Sequence, residues 1–230
     1  MPRFSALQQQ CSQIGWPLSV DFAERATGAD GWISATGAIV GPEQLVLERF
    51  REQGALGCWC EGGSINLLMK AASLDVLAKH NTFHDRRDAI RRYFEAQCTI
   101  LQSHQQEVIA SMARVDRMAI VRAAEEICAD DFVRAAYPRI RSDFLVLLWE
   151  VLGSSRLVPI ATKFFVRPYD YRSGWPDLTL VERERVRFVE VKTTDHLHEA
   201  QIRFALEVAA PLNLACAVHQ VKARTDSGAI

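Results

Sequence analysis

Asp177 follows Pro176 at the head of an apolar run, and thirteen residues later Glu190 and Lys192 stand two apart in VRFVEVK. Residues two apart on a strand share a face, so Glu190 and Lys192 project together while Val189 and Val191 turn into a core. Phe188 shares the functional face and is expected beneath the site. DLTLVE (177–182) and VRFVEVK (186–192), joined by the charged tip Glu182-Arg183-Glu184-Arg185, read as a hairpin that brings Asp177 beside Glu190. Two carboxylates so placed suit a hard cation with a preference for oxygen, Mg²⁺ or Mn²⁺. A lysine beside them would repel a metal in a pure binding site. It fits a site that must attract a phosphate and hold an attacking water. An acid and a lysine two apart on a strand usually mark a solvated face, but the turn Gly174-Trp175-Pro176-Asp177 ahead of them makes the geometry specific.

The elements that position these residues change character along the chain. Residues 1–40 give poor periodicity and read as irregular, with room for a short helix or strand. GPEQLVLERFREQG (41–54) predicts a helix with Pro42 in its first turn and Gly54 as its stop. After the bend EGGS (61–64), INLLMKAASLDVLAKH has helical spacing at Ile65, Leu68, Met69, Ala72 and Val76. Residues 85–103 and 104–135 continue in helical patterns, and Arg139–Leu152 is a further helix ended by Gly153. KFFVRPY (163–169) reads as a strand. Residues 197–209 form an amphipathic helix with Leu197, Ile202, Ala205, Leu206 and Ala209 inward, and LACAVHQV (214–221) is a last strand. The predicted organisation is a mainly helical region over 1–158, a catalytic core over 159–225 and a tail over 226–230. Within it a small mixed sheet is flanked by helices, an α/β class.

SGWPDLTLV…VRFVEVKTTDHLHEAQIRFALEV resembles the VRR-NUC branch of the PD-(D/E)XK nucleases. Its blocks stand in order as Gly174-Trp175-Pro176-Asp177-Leu178, Glu190-Val191-Lys192 and Asp195-x-Leu197-x-x-x-Gln201. The likeness covers the carboxy-terminal third, with Phe204 where a tryptophan is usual. Upstream, VLERFREQGALGCWCEGGSINLLMKAASLDVL (46–77) and FHDRRDAIRRYFEAQ (83–97) are similar to the nuclease domain of the Fanconi-anaemia-associated nucleases. The resemblance implies a metal-dependent DNA nuclease in which Asp177, Glu190 and the Val191 carbonyl ligate Mg²⁺ or Mn²⁺. Glu61 would complete the metal shell or orient water. Lys192 would hold the attacking water, and Gln201 would position the lysine or a phosphate. Asp143 and Glu150 compete with Glu61 for the role of first acid, since compact members often carry theirs on the helix before the sheet. Glu61 could also simply cap a helix.

Arg86, Arg87, Arg91 and Arg92 form one basic side able to track a phosphate backbone, unless they pair with Asp85, Asp88 and Glu95. Arg172, Arg167 and Lys163 lie close enough in sequence to the site to touch DNA. His80 and His84 have a zinc-binding spacing, but Asn81-Thr82-Phe83 between them marks a helix end and offers no acid. Asp195 and His196 read as loop-capping or substrate-edge groups, and Trp175 as a residue that packs a turn or stacks on a base. The cysteines at 11, 58, 60, 98, 128 and 216 form no CxxC pair, so they are expected as free thiols in a reducing cytoplasm.

The bulk numbers are those of an ordinary soluble chain: 49% apolar, 24% charged, formal net charge −1. That charge announces no nucleic acid, although a local basic stripe needs no global excess. No apolar run of membrane-spanning length stands out, and the start lacks the apolar core of a secretion signal. The expectation is a cytoplasmic monomer, nucleoid-associated in a prokaryote, without the large amino-terminal regions of the Fanconi-associated enzyme. It would act on branched or flapped DNA in repair or recombination. The alternative is a non-catalytic DNA-binding or partner module on a nuclease fold, and a restriction-type or toxin nuclease is a further rival.

Overall fold

A computed structural model describes residues 5–28 and 30–224, so the expected tail lies outside the described residues. Helix α1 (Ala6–Ile14) is capped by the Ser5 hydroxyl on the Gln8 N–H and closed by Gly15 at φ 72°. Strand β1 (Leu18–Ala23) follows, then a small ribbon of β2 (Trp32–Ile33) and β3 (Ile39–Val40). Helix α2 (Pro42–Glu52) begins on Pro42, whose missing N–H costs nothing there, and buries Leu45, Val46, Leu47 and Phe50. Strand β4 (Leu56–Trp59) leads into α3 (Gly63–His80), buried along nearly its whole length.

The two helical stretches predicted over 85–135 are broken into α4 (Arg86–Arg91), α5 (Phe94–Ile100), α6 (Gln105–Arg114), α7 (Arg117–Ala129) and α8 (Asp131–Ala136). Asp85, Asp116 and Asp130 restart three of them by accepting a first-turn N–H. Helix α9 (Ser142–Val166) is two helices joined at Gly153, which has φ 61° and non-helical backbone. By length and mean hydropathy α9 passes for a membrane span, contrary to the reading that no such run exists. Yet Leu145, Leu148, Leu152, Leu157, Ile160, Ala161, Phe164 and Phe165 are buried in the protein core.

The strand expected over 163–169 does not form. Residues 163–166 end α9, and α10 (Pro168–Tyr171) is a single turn beyond it. The physical reason was present in the spacing. Leu157, Ile160, Ala161, Phe164 and Phe165 recur at helical intervals, and this outweighs the strand propensity of Phe-Phe-Val.

The hairpin is as predicted. β5 (Leu178–Glu182) and β6 (Arg185–Lys192) pair antiparallel, with Arg183 at φ 57° in the two-residue turn between Glu182 and Arg185. Helix α11 (Glu199–Phe204), continued by a π-helical turn (Ala205–Ala209), leads to β7 (Cys216–Ala223). Within that segment Leu197, Ala205 and Ala209 are buried as expected. Leu206 is exposed instead, and Phe204 and Val208 fill the core.

The sheet has the order β1-β7-β6-β5-β4, with β1 and β6 parallel to β7 and the others antiparallel. It therefore recruits β1 and β4 from the stretch assigned to the helical region, and no structural boundary falls at residue 159. One face, carrying Leu178, Leu180, Val189, Val191 and Val221, packs on α2. The other, carrying Val181, Phe188, Cys216 and Val218, joins the larger core of α3, α6, α7 and α9.

Candidate active site

Register alone places the acids in a row. β5 and β6 pair Leu178 with Val189, so one step further Asp177 stands opposite Glu190. β4 and β5 pair Trp59 with Leu178, so one step further Cys60 stands opposite Asp177. The Cys60 and Glu61 N–H groups both donate to the Asp177 carbonyl, at 2.9 and 3.2 Å. Glu61, Asp177 and Glu190 thus come from the ends of three adjacent strands. Exposure falls along the row, from exposed Glu61 through half-buried Asp177 to Glu190, of which 2% is exposed.

The Asp177 and Glu190 side chains are held in place. Asp177 Oδ2 accepts the Val191 N–H at 2.8 Å. Glu190 Oε1 meets Lys192 Nζ at 2.9 Å and accepts from Gln201 Nε2 at 2.5 Å. Gln201 is itself oriented, because its Oε1 accepts the His198 N–H at 2.8 Å and leaves the amide nitrogen pointing at Glu190. Lys192 is as enclosed as Glu190, at 6% exposure. Phe188 lies beneath, against Trp175.

The electrostatics are those of carboxyls crowded out of water. Burial, the adjacent Glu190 charge and the more distant Glu43 and Glu61 push the Asp177 carboxyl up to about 8. Burial raises Glu190 too, opposed by Lys192 and by hydrogen bonds from Lys192, Asp177 and Gln201. Glu190 Oε2 is buried without a hydrogen-bond partner. Buried acceptors are normally satisfied, so an unpartnered carboxylate oxygen in a row of acids is the kind of group a bound cation would satisfy. The donor set is all oxygen, which fits Mg²⁺ or Mn²⁺.

Two glycines let the row assemble. Gly174, at φ 84°, lies so close to the first turn of α11 that a Cβ there would meet the Ala200 carbonyl oxygen at 2.1 Å. Gly62, at φ 79°, lets the Trp175 ring lie where its own Cβ would be, 2.4 Å from the ring. Trp175 is buried, donates to the Tyr171 carbonyl at 2.8 Å and packs on Phe204, so it packs the turn and is not presented to a base. We expect Gly174→Ala to lower stability by roughly 2–4 kcal/mol, from the strained φ and the backbone clash together. Chemical denaturation measures it, and a loss below about 0.5 kcal/mol would mean the close approach is not required.

Other candidates are placed elsewhere. The Asp143 carboxylate is held by Arg141 and that of Glu150 by Arg117, and neither joins the acid row. Asp195 accepts from Gln220, and the His196 ring meets His198 edge-on. The basic side drawn from Arg86, Arg87, Arg91 and Arg92 is mostly spent on acids. Arg86 pairs with Asp75 and Glu126, Arg91 with Asp130, and Arg92 with Asp88, leaving exposed Arg87. Arg172 pairs with buried Glu95, Arg167 with Glu207 and Asp170, and the Lys163 ammonium lies over the Tyr171 ring. The six cysteines are free.

Two residues outside the motifs join the neighbourhood. Glu43, in the first turn of α2, adds its charge to the Asp177 environment. Exposed Arg139 lies over the Trp59 ring at 4.0 Å, and both line a cleft of about 330 Å³ with Cys60, Glu61 and Tyr137. A larger cleft, about 830 Å³, opens beyond Lys192 between Thr193, Thr194, Asp195, Lys222 and Arg25.

No family model matches the chain, and no curated protein matches it. Among solved structures, the fold matches paFAN1 bound to 5′-flap DNA with gap. With a two-nucleotide flap the TM-score is 0.60 at 18% identity, over 99% of this chain and 40% of that one. With a one-nucleotide flap it is 0.55 at 20% identity, over 92% and 38%. The chain therefore spans about two fifths of the length of the structures it matches, and what it shares with them is the fold: a mixed sheet flanked by helices, as the PD-(D/E)XK resemblance implies.

Proposed function

We propose that this chain, sharing its fold with paFAN1, is a metal-dependent DNA nuclease that hydrolyses phosphodiester bonds. The observation that supports this most directly is the row of Glu61, Asp177 and Glu190 ending on Lys192, with a buried carboxylate oxygen left unpartnered. Asp177, Glu190, the Val191 carbonyl and Glu61 would hold Mg²⁺ or Mn²⁺, whose charge would polarise the scissile phosphate. Lys192 holds an ammonium at the end of the row, where it attracts the phosphate and orients the attacking water. Gln201 holds the Glu190 carboxylate by its first oxygen, which would leave the second to ligate a cation. The enclosure of Glu190 and Lys192 makes Glu61 and Asp177 the approach side for DNA. Arg139 over Trp59 and the exposed Arg87 are the cations we assign to the DNA path.

The substrate we propose is flapped or branched DNA, on the strength of the paFAN1 complexes, and the chain acts as a monomer in repair or recombination. The test incubates the protein with labelled flap, junction, single-stranded and duplex DNA and Mn²⁺. Preferential cleavage of the flap supports the reading. Binding to DNA without cleavage of any substrate would make the chain a non-catalytic module on a nuclease fold.

The first acid can be identified in the same assay. Glu61→Gln should slow cleavage about tenfold or more, as loss of a positioned charge at a reacting centre does. Asp143→Asn and Glu150→Gln remove exposed ion pairs worth about 0–1 kcal/mol and should leave the rate within about twofold. The reverse ranking would move the first acid to α9.

A further inference from the structure

Far from the acid row, one cluster has the composition of a transition-metal site. His80 closes α3, His104 ends the short 3₁₀ turn Gln102–His104, and Glu107 stands in the first turn of α6. The His80 and His104 rings stack at 3.9 Å with planes 17° apart, and His80 Nε2 lies 2.8 Å from Glu107 Oε2. One donor atom from each residue falls within 4.8 Å of the other two, and all three residues are half-buried. The sequence spacing paired His80 with His84. In the structure the His84 ring turns away to the Lys79 carbonyl, at 2.5 Å, and His104 and Glu107 take its place.

Ligand atoms around a tetrahedral zinc, bonded at about 2.0–2.1 Å, lie roughly 3.3 Å apart. The three donors already lie within 4.8 Å of one another, and to reach that spacing one imidazole turns out of the stack so that both nitrogen lone pairs converge on the ion. Two imidazoles and one carboxylate select a borderline-soft ion over the oxygen-seeking Mg²⁺. The carboxylate already attracts a cation, since Lys79 Nζ sits 2.9 Å from Glu107 Oε1 on a side chain that is 63% exposed and free to swing away. We propose that His80, His104 and Glu107 bind a divalent transition ion of the zinc class, with solvent as fourth ligand, fastening the end of α3 to the start of α6.

The test uses the full chain carrying Asp177→Asn and Glu190→Gln, so that the acid row does not compete. Calorimetric titration with Zn²⁺, and Co²⁺ followed by visible absorption, should show one equivalent in a four-coordinate site, with a rise in melting temperature. Adding His104→Gln should weaken Zn²⁺ by about a hundredfold or more, beyond the ~10–100-fold lost with outer-shell partners. Lys79→Ala should tighten it, because a competing cation is gone. If His104→Gln fails to fold, Glu107→Gln at the surface carries the same expectation. The proposal is overturned if no Zn²⁺ is taken up, or if uptake is indifferent to these ligand substitutions.

Discussion

Lys192→Ala should cut cleavage by about a hundredfold to a thousandfold, the usual loss when one preorganised charge is removed from a developing oxyanion. DNA affinity should change far less, because Lys192 is 6% exposed and its partner in the free protein is Glu190. The loss should therefore fall on turnover and not on KM. The substitution leaves Glu190 buried without its cation, so stability must be followed alongside. Lys192→Arg is the control: the charge survives, but a planar fork does not fit an enclosed position shaped for an ammonium, and activity should stay low. Cleavage that survives Lys192→Ala unchanged would remove Lys192 from the chemistry and the proposed mechanism with it.

Asp177→Asn should trade activity for stability. Asp177 binds its proton more tightly in the folded protein than in the unfolded chain, being pushed up to about 8 by burial and neighbouring acids. Its contribution to folding is therefore complete at low pH, below the ordinary carboxylate range, and is lost as pH rises through about 8. Asparagine keeps the acceptor for the Val191 N–H without the charge. In metal-free buffer near pH 8 it should raise stability by about 1–3 kcal/mol, since each tenfold in proton affinity is worth about 1.4 kcal/mol. The advantage over wild type should vanish towards about pH 4, where both are neutral. Mg²⁺ or Mn²⁺ should reverse the order at pH 8 by stabilising only the wild type. Cleavage should meanwhile fall about a hundredfold or more. Denaturation curves at the two pH values, with and without metal, measure all of this. A variant less stable than wild type at high pH without metal would mean that the acids are not in conflict.

Much of the site could be read before the fold was seen, because period-2 alternation and hairpin register are local properties. The tip at Glu182–Arg185 fixes which residue faces Glu190, and the pairing follows arithmetically. Glu43 was not legible, since its nearness to Asp177 depends on how α2 docks on the sheet. The arginines at α4 were legible only in part, since Arg92 pairs with Asp88 as the spacing allows but the others pair across the fold. The partners of Arg86 and Arg91 are Asp75 from α3, Glu126 from α7 and Asp130 from the α7–α8 junction. The lost strand over 163–169 is a different failure. There the helical period across 157–165 competes with the strand propensity of Phe164, Phe165 and Val166, and the period decides.

The parallel pairing of β1 with β7 has a kinetic meaning. Ser19 and His219 are hydrogen-bonded neighbours 200 positions apart, so the edge closes only after β7 has been synthesised. The local β5–β6 ribbon can zip first, whereas α1 and β1 must wait through a long loop-closure search. Pulsed hydrogen exchange during refolding should find the Leu18–Ala23 amides protected last. In the native protein the same strand should be the first to peel away.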